Sequence, residues 1–89
     1  MRDAVRPAAD PAVAAYPVDD ELVLYDPRRG QGFVLNRTAA RIWSLCDGSR
    51  TVRAVAAELA SAYALEDEQA LSDVSACLNE LSRACLLRA

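Results

Sequence analysis

In GFVLNRTAARIW, residues 32–43, the spacing of apolar residues changes from two to between three and four across a single position, Asn36. Phe33 and Leu35 share one side of an extended segment. Beyond Asn36, the residues Ala39, Ile42, Trp43 and Cys46 recur at i, i+3, i+4 and i+7, the period of a helix with one apolar face. Asn36 is a good N-cap, because its side-chain carbonyl accepts from an amide two or three residues on; Thr38 is the alternative. A strand is thus handed directly into a helix. A chain with such a joint has to stack its sheet on its helices.

The flanking sequence supplies both. ELVLYD, residues 21–26, puts Leu22 and Leu24 on one face and Val23 and Tyr25 on the other. DPRRG, residues 26–30, is a turn, with proline presetting φ early and Gly30 permitting positive φ. These two strands form an antiparallel hairpin, which needs a packing partner to be stable. AVAAYPV, residues 12–18, reads as an edge strand, the one place in a sheet where its proline is tolerated. Residues 1–11, rich in Pro, Ala and Asp, read as a flexible N-terminal arm.

Downstream, the first helix stops at DGS, with Gly48 at the expected position. Thr51 caps a second helix whose Val52, Val55, Ala56, Leu59, Ala60 and Tyr63 form an apolar stripe. A third helix spans residues 67–84 with a stripe of Leu71, Val74, Leu78, Leu81 and Cys85. The fold class is α+β, winged helix-turn-helix-like: a three-stranded antiparallel sheet followed by three helices, in one domain over residues 12–89.

The inventory of side chains narrows what such a domain does. Eighty-nine residues bury about 60 to 65% of the unfolded chain's surface, enough for one modest core. There is no His and no Lys, so the usual acid–base residue, the commonest zinc ligand and any Ser–Lys pair are missing. Cys46, Cys77 and Cys85 have no CxxC spacing and read as free thiols of a cytoplasmic protein. No apolar run reaches the 18 or so residues of a membrane span. Asp3, Asp10 and two prolines interrupt the start, where a signal peptide would be continuously apolar.

Two acidic clusters remain. Glu66, Asp67 and Glu68 complement the dipole of the third helix, and Asp19, Asp20 and Glu21 form a solvated strand edge. Neither comes with the rest of an active site, and the chain reads as a non-enzyme. DGSRTVRAVAAEL has the turn of a helix-turn-helix. Its third helix, however, carries Asp67, Glu68, Asp73 and Glu80 against Arg83 alone, a surface that repels phosphates. Beside the core stripe of that helix runs a second one, Ala70, Asp73, Cys77, Glu80 and Ala84, which describes either a shallow groove or an ordinary boundary stripe.

LNRTAARIW followed by CDGSRTV, with the hairpin before and the long helix after, resembles the PqqD-like family over about residues 18–87. Its members are leader-peptide recognition elements of ribosomal peptide biosynthesis. The family's Gly-Leu near the end is replaced here, with Cys85 at the Gly. Stand-alone members of this length resemble the recognition proteins of lasso peptide pathways. The resemblance implies no cofactor and no metal. It implies a precursor leader peptide as ligand, with a leader peptidase and a macrolactam-forming cyclase as partners. It also implies a site: the leader adds as a strand to Gly32, Phe33, Val34 and Leu35 and faces Asp73, Val74, Cys77, Leu78, Glu80 and Leu81 on the third helix. The alternatives are a winged-helix regulatory or nucleic-acid-binding protein and a scaffold subunit of a partner enzyme. A free strand edge is compatible with a monomer or a weak homodimer.

Overall fold

ELVLYD forms the middle strand of the sheet. A computed structural model describes residues 5–88. Strands β1 (Ala14–Val18), β2 (Glu21–Asp26) and β3 (Gln31–Leu35) pair antiparallel in the order β1-β2-β3. Helices α1 (Arg37–Leu45), α2 (Val52–Tyr63) and α3 (Asp67–Arg83) follow. Leu24 lies between Ala15 and Phe33, and Leu22 between Pro17 and Leu35. This row faces inward, and Leu24 is fully buried. The alternate row, Tyr16, Val23 and Val34, faces out; Tyr16 and Val34 are exposed.

α1 packs against β2, β3, α2 and α3, while α2 and α3 pack along each other. The core gathers Leu24, Ile42, Val55, Leu59, Val74 and Leu86 among its deepest side chains. Both expected caps form: the Ala39 amide donates to Asn36 Oδ1 at 2.9 Å and the Ala54 amide to Thr51 Oγ1 at 3.1 Å. Each cap stabilises its helix by about 1 kcal/mol. α3 has no side-chain cap, but Asp67 and Glu68 occupy its first turn, where the helix dipole favours acids.

The apolar stripe of α3 holds for Val74, Leu78 and Leu81, all buried, with Leu71 half-buried; it does not hold for Cys85, which is exposed. The helix ends at Arg83 and Cys85 turns left-handed, with φ of 60°. The Leu86 amide then donates back to the Leu81 carbonyl at 3.0 Å, and Leu86 takes the buried place instead. α2 stops the same way, with Ala64 at φ 53° and the Leu65 amide on the Ala60 carbonyl at 3.0 Å.

Residues 1–4 of the expected arm lie outside the described residues. Residues 5–11 run as an extended strap held from two sides. The Ala9 amide donates to the Cys46 carbonyl at 2.8 Å, and the Gly48 amide donates to the Pro7 carbonyl at 3.0 Å. On the other side, the Asp10 amide reaches the Leu86 carbonyl at 3.0 Å, and the Arg88 amide reaches the Ala8 carbonyl at 2.7 Å. Within the strap, Pro7 is buried. Gly48 has φ 83°, the left-handed region that favours glycine, where the chain crosses the strap at Ala8. The α1–α2 connection, the strap and the end of the chain thus share one pole of the fold.

Candidate functional site

A three-stranded sheet has two outer edges, and the sequence makes them unequal. β1 carries Pro17, which has no amide hydrogen and blunts that edge. β3, QGFVL, has no proline, and its outer edge is unpaired among the described residues. Phe33 and Leu35 are half-buried on the inner face; Gly32 and Val34 are exposed, Val34 at 63%. The helix-capping Asn36 follows at once, so β3 is short and its far end is fixed by α1.

No Cα of β3 comes within 8 Å of one in α3, although α1 packs against both. An added strand would lie about 4.8 Å from β3. One flank of α3 presents Asp73, Cys77 and Ala84, half-buried, and Glu80, exposed. Cys77 lies close enough to Cys46, at the end of α1, for the two thiols to influence each other. The remaining expected contact residues, Val74, Leu78 and Leu81, are at most 4% exposed and belong to the core behind this flank. Ala70, taken with the small-residue stripe, is also fully buried. The ten residues therefore divide into an open strand edge, a half-exposed helix flank and an apolar wall that supports it.

Burial pushes the Cys46 thiol up to about 12, with Cys77 and Asp47 adding to the effect. Burial, then Glu80, raises that of Cys77 as well. Both are therefore thiols rather than thiolate nucleophiles near neutral pH. Asp73 accepts from Gln69 Nε2 at 2.8 Å. Among the described residues no group of three or more His, Cys, Asp or Glu gathers where a metal ion would sit. No helix among them is long and apolar enough to cross a membrane.

One polar network escapes sequence reasoning. Asp26, expected only as the first residue of a turn, is fully buried. Its carboxylate accepts from the Arg28 amide at 3.0 Å and from Arg28 Nε at 3.1 Å. Arg28 also reaches Asp10 of the strap at 3.0 Å. The Arg28 guanidinium, more than its amide, holds the Asp26 carboxyl below the usual range despite burial. Asp10 is lowered chiefly by the Ala12 amide and then by Arg28. The network fastens the turn that begins β3. Its only sequence signal is an Asp two residues before an Arg, a spacing common in solvated turns.

Comparison with known proteins gives one family and two solved structures. The sequence profile of coenzyme PQQ synthesis protein D (PqqD) matches residues 21–87. A structure described as TbiB1 in complex with the TbiA(beta) leader peptide is 26% identical, with a TM-score of 0.83 over 92% of this chain and 95% of that one. A second, lasso peptide synthetase B1 complexed with the leader peptide, is 27% identical, with a TM-score of 0.83 over 96% of this chain and 100% of the other. No curated protein matches the chain.

Proposed function

The chain belongs to the PqqD family, and from that membership we propose that it binds the leader region of a ribosomally synthesised precursor peptide. It does so without catalysis, in the cytoplasm, and delivers the precursor to the leader peptidase and macrolactam-forming cyclase of a lasso peptide pathway. Two structural relatives that cover nearly the whole fold are leader-peptide complexes, which supports the reading. The single observation that carries it in this chain is the edge of β3, unpaired among the described residues.

In this reading the leader extends the sheet past Gly32, Phe33, Val34 and Leu35. Its inward side chains meet the flank of Asp73, Cys77 and Glu80, with Val74, Leu78 and Leu81 as the wall behind. Backbone pairing contributes about 1 kcal/mol net per hydrogen bond, whatever the leader's sequence. Ordering a flexible peptide costs several kcal/mol. Selectivity therefore rests on the side chains that reach the flank, and Asp73 and Glu80 favour a basic residue there.

The test is fluorescence anisotropy of a labelled leader from the neighbouring precursor gene, titrated with this protein alone. We expect saturable binding with Kd between about 10 nM and 10 μM, abolished by scrambling the leader. Cys77→Arg fills the flank and should weaken it by about tenfold or more. Unchanged affinity in a folded Cys77→Arg variant would move the site away from α3, and binding indifferent to scrambling would end the proposal.

A further inference from the structure

Arginine supplies all ten basic side chains of a chain with net charge −3, and four of them, Arg6, Arg28, Arg29 and Arg88, line one cavity of about 890 Å3. It opens at the pole where the strap, the β2–β3 turn and the end of the chain meet. Pro7, Val52, Leu78 and Leu87 give it an apolar floor. α3 also contributes Asn79 and Ser82. At 3.6 residues per turn these project on the opposite side of the helix from Cys77 and Glu80, so the cavity is separate from that flank. Buried Leu78 backs both.

The charge balance in the cavity is the reverse of that of the whole chain. Asp10 is the only acid among the described lining residues, and it is already engaged by Arg28 at 3.0 Å. Each guanidinium has five N–H donors. Arg6 is recorded spending one on the Ser49 carbonyl, at 2.7 Å. Arg29 forms an ion pair with Asp26, Nε to Oδ2 at 3.9 Å, without hydrogen bonding to it, which leaves its N–H donors for a ligand. Arg29 and Arg88 are exposed at the rim. Guanidinium groups over an apolar floor select a ligand that carries both carboxylates and apolar side chains. The volume falls within the range of roughly 300 to 1,000 Å3 typical of ligand pockets.

We propose that this cavity binds an acidic peptide segment, its carboxylates on Arg6, Arg29 and Arg88 and an apolar residue on the floor. The chain's net charge of −3 disfavours a nucleic acid, and inorganic phosphate would leave the floor unused. The site stands independently of the leader reading.

The test uses the intact chain and a fluorescein-labelled peptide, Glu-Asp-Leu-Glu-Asp-Leu, beside its uncharged counterpart Gln-Asn-Leu-Gln-Asn-Leu. We expect the acidic peptide to bind with Kd near about 100 μM at low salt and several-fold more weakly at about 0.3 M salt. The uncharged peptide should bind at least about tenfold more weakly. The double variant R29Q/R88Q, which alters two exposed side chains, should lose about tenfold in affinity for the acidic peptide while its thermal midpoint is kept. Equal binding of the two peptides, affinity unchanged in R29Q/R88Q, or no binding at about 1 mM would each overturn the proposal. Unlabelled leader peptide identifies the source. Displacement of the probe assigns the acidic segment to the precursor, and simultaneous binding assigns it to another polypeptide; both keep the site.

Discussion

Three non-glycine residues among those described have positive φ, Asp19 in the β1–β2 turn at 55° and two that follow helices, where glycine suits the backbone better. Ala64 and Cys85 have φ of 53° and 60°, each just past the end of a helix, and each lets the next amide return to a carbonyl of the last turn. A residue with a Cβ is destabilised there by roughly 1 to 2 kcal/mol, which glycine relieves in part, since its unfolded chain is freer. The substitution of cysteine for the glycine common in the family therefore leaves the left-handed turn in place and weakens it. Cys85→Gly should stabilise the protein by about 1 kcal/mol, raising the thermal midpoint by about 4 to 8 °C for a domain of this size. Thermal denaturation followed by circular dichroism checks this; a lower midpoint would mean that the Cys85 side chain supplies packing that its exposure does not suggest. The periodic stripe that placed Cys85 in the core went astray for the same reason, since a helical repeat is blind to the residue at which the helix unwinds.

At the scale of elements, most of the fold was legible. Period-two alternation marked ELVLYD with the bounds that β2 has, and Asn36 and Thr51 announced the starts of α1 and α2 through bonds that a side chain makes to its own neighbourhood. The candidate site was legible only in part. Spacing groups Asp73, Cys77 and Glu80 on one flank, but Val74, Leu78 and Leu81 share the turns between them and are buried, because the flank and the core stripe are adjacent on the same helix. Nor does sequence reveal which edge of a sheet is free, beyond the hint of Pro17 in β1. The edge can be tested directly. In β3 successive amides alternate between β2 and the open side, so leader binding should slow hydrogen exchange at the outward amides of residues 31–35 by about tenfold or more. Protection that appears in β1 and not in β3 would place the added strand on the wrong edge.

Over the whole molecule, the strap is what local reasoning could not see. PAADPA has the composition of a loose end, but its restraints at Ala8, Ala9 and Asp10 are backbone bonds to residues far along the chain, which no local composition encodes. Removing residues 1–9 deletes the bonds made by Pro7, Ala8 and Ala9 and uncovers the neighbouring core. We expect a loss of about 2 to 4 kcal/mol in urea denaturation, at roughly 1 kcal/mol per bond; a variant as stable as the full chain would show the strap to be ornamental. The bond from Arg88 to Ala8, at 2.7 Å, makes the backbone very nearly a ring. Such a ring can be opened wherever the chain tolerates a break and sealed where Ala8 and Arg88 already meet. The α2–α3 connection is therefore a natural place for new termini in a circular permutant. For the same reason the fold can be spliced into a surface loop of a larger protein by two linkers leaving from one spot, with the β3 edge still facing outward.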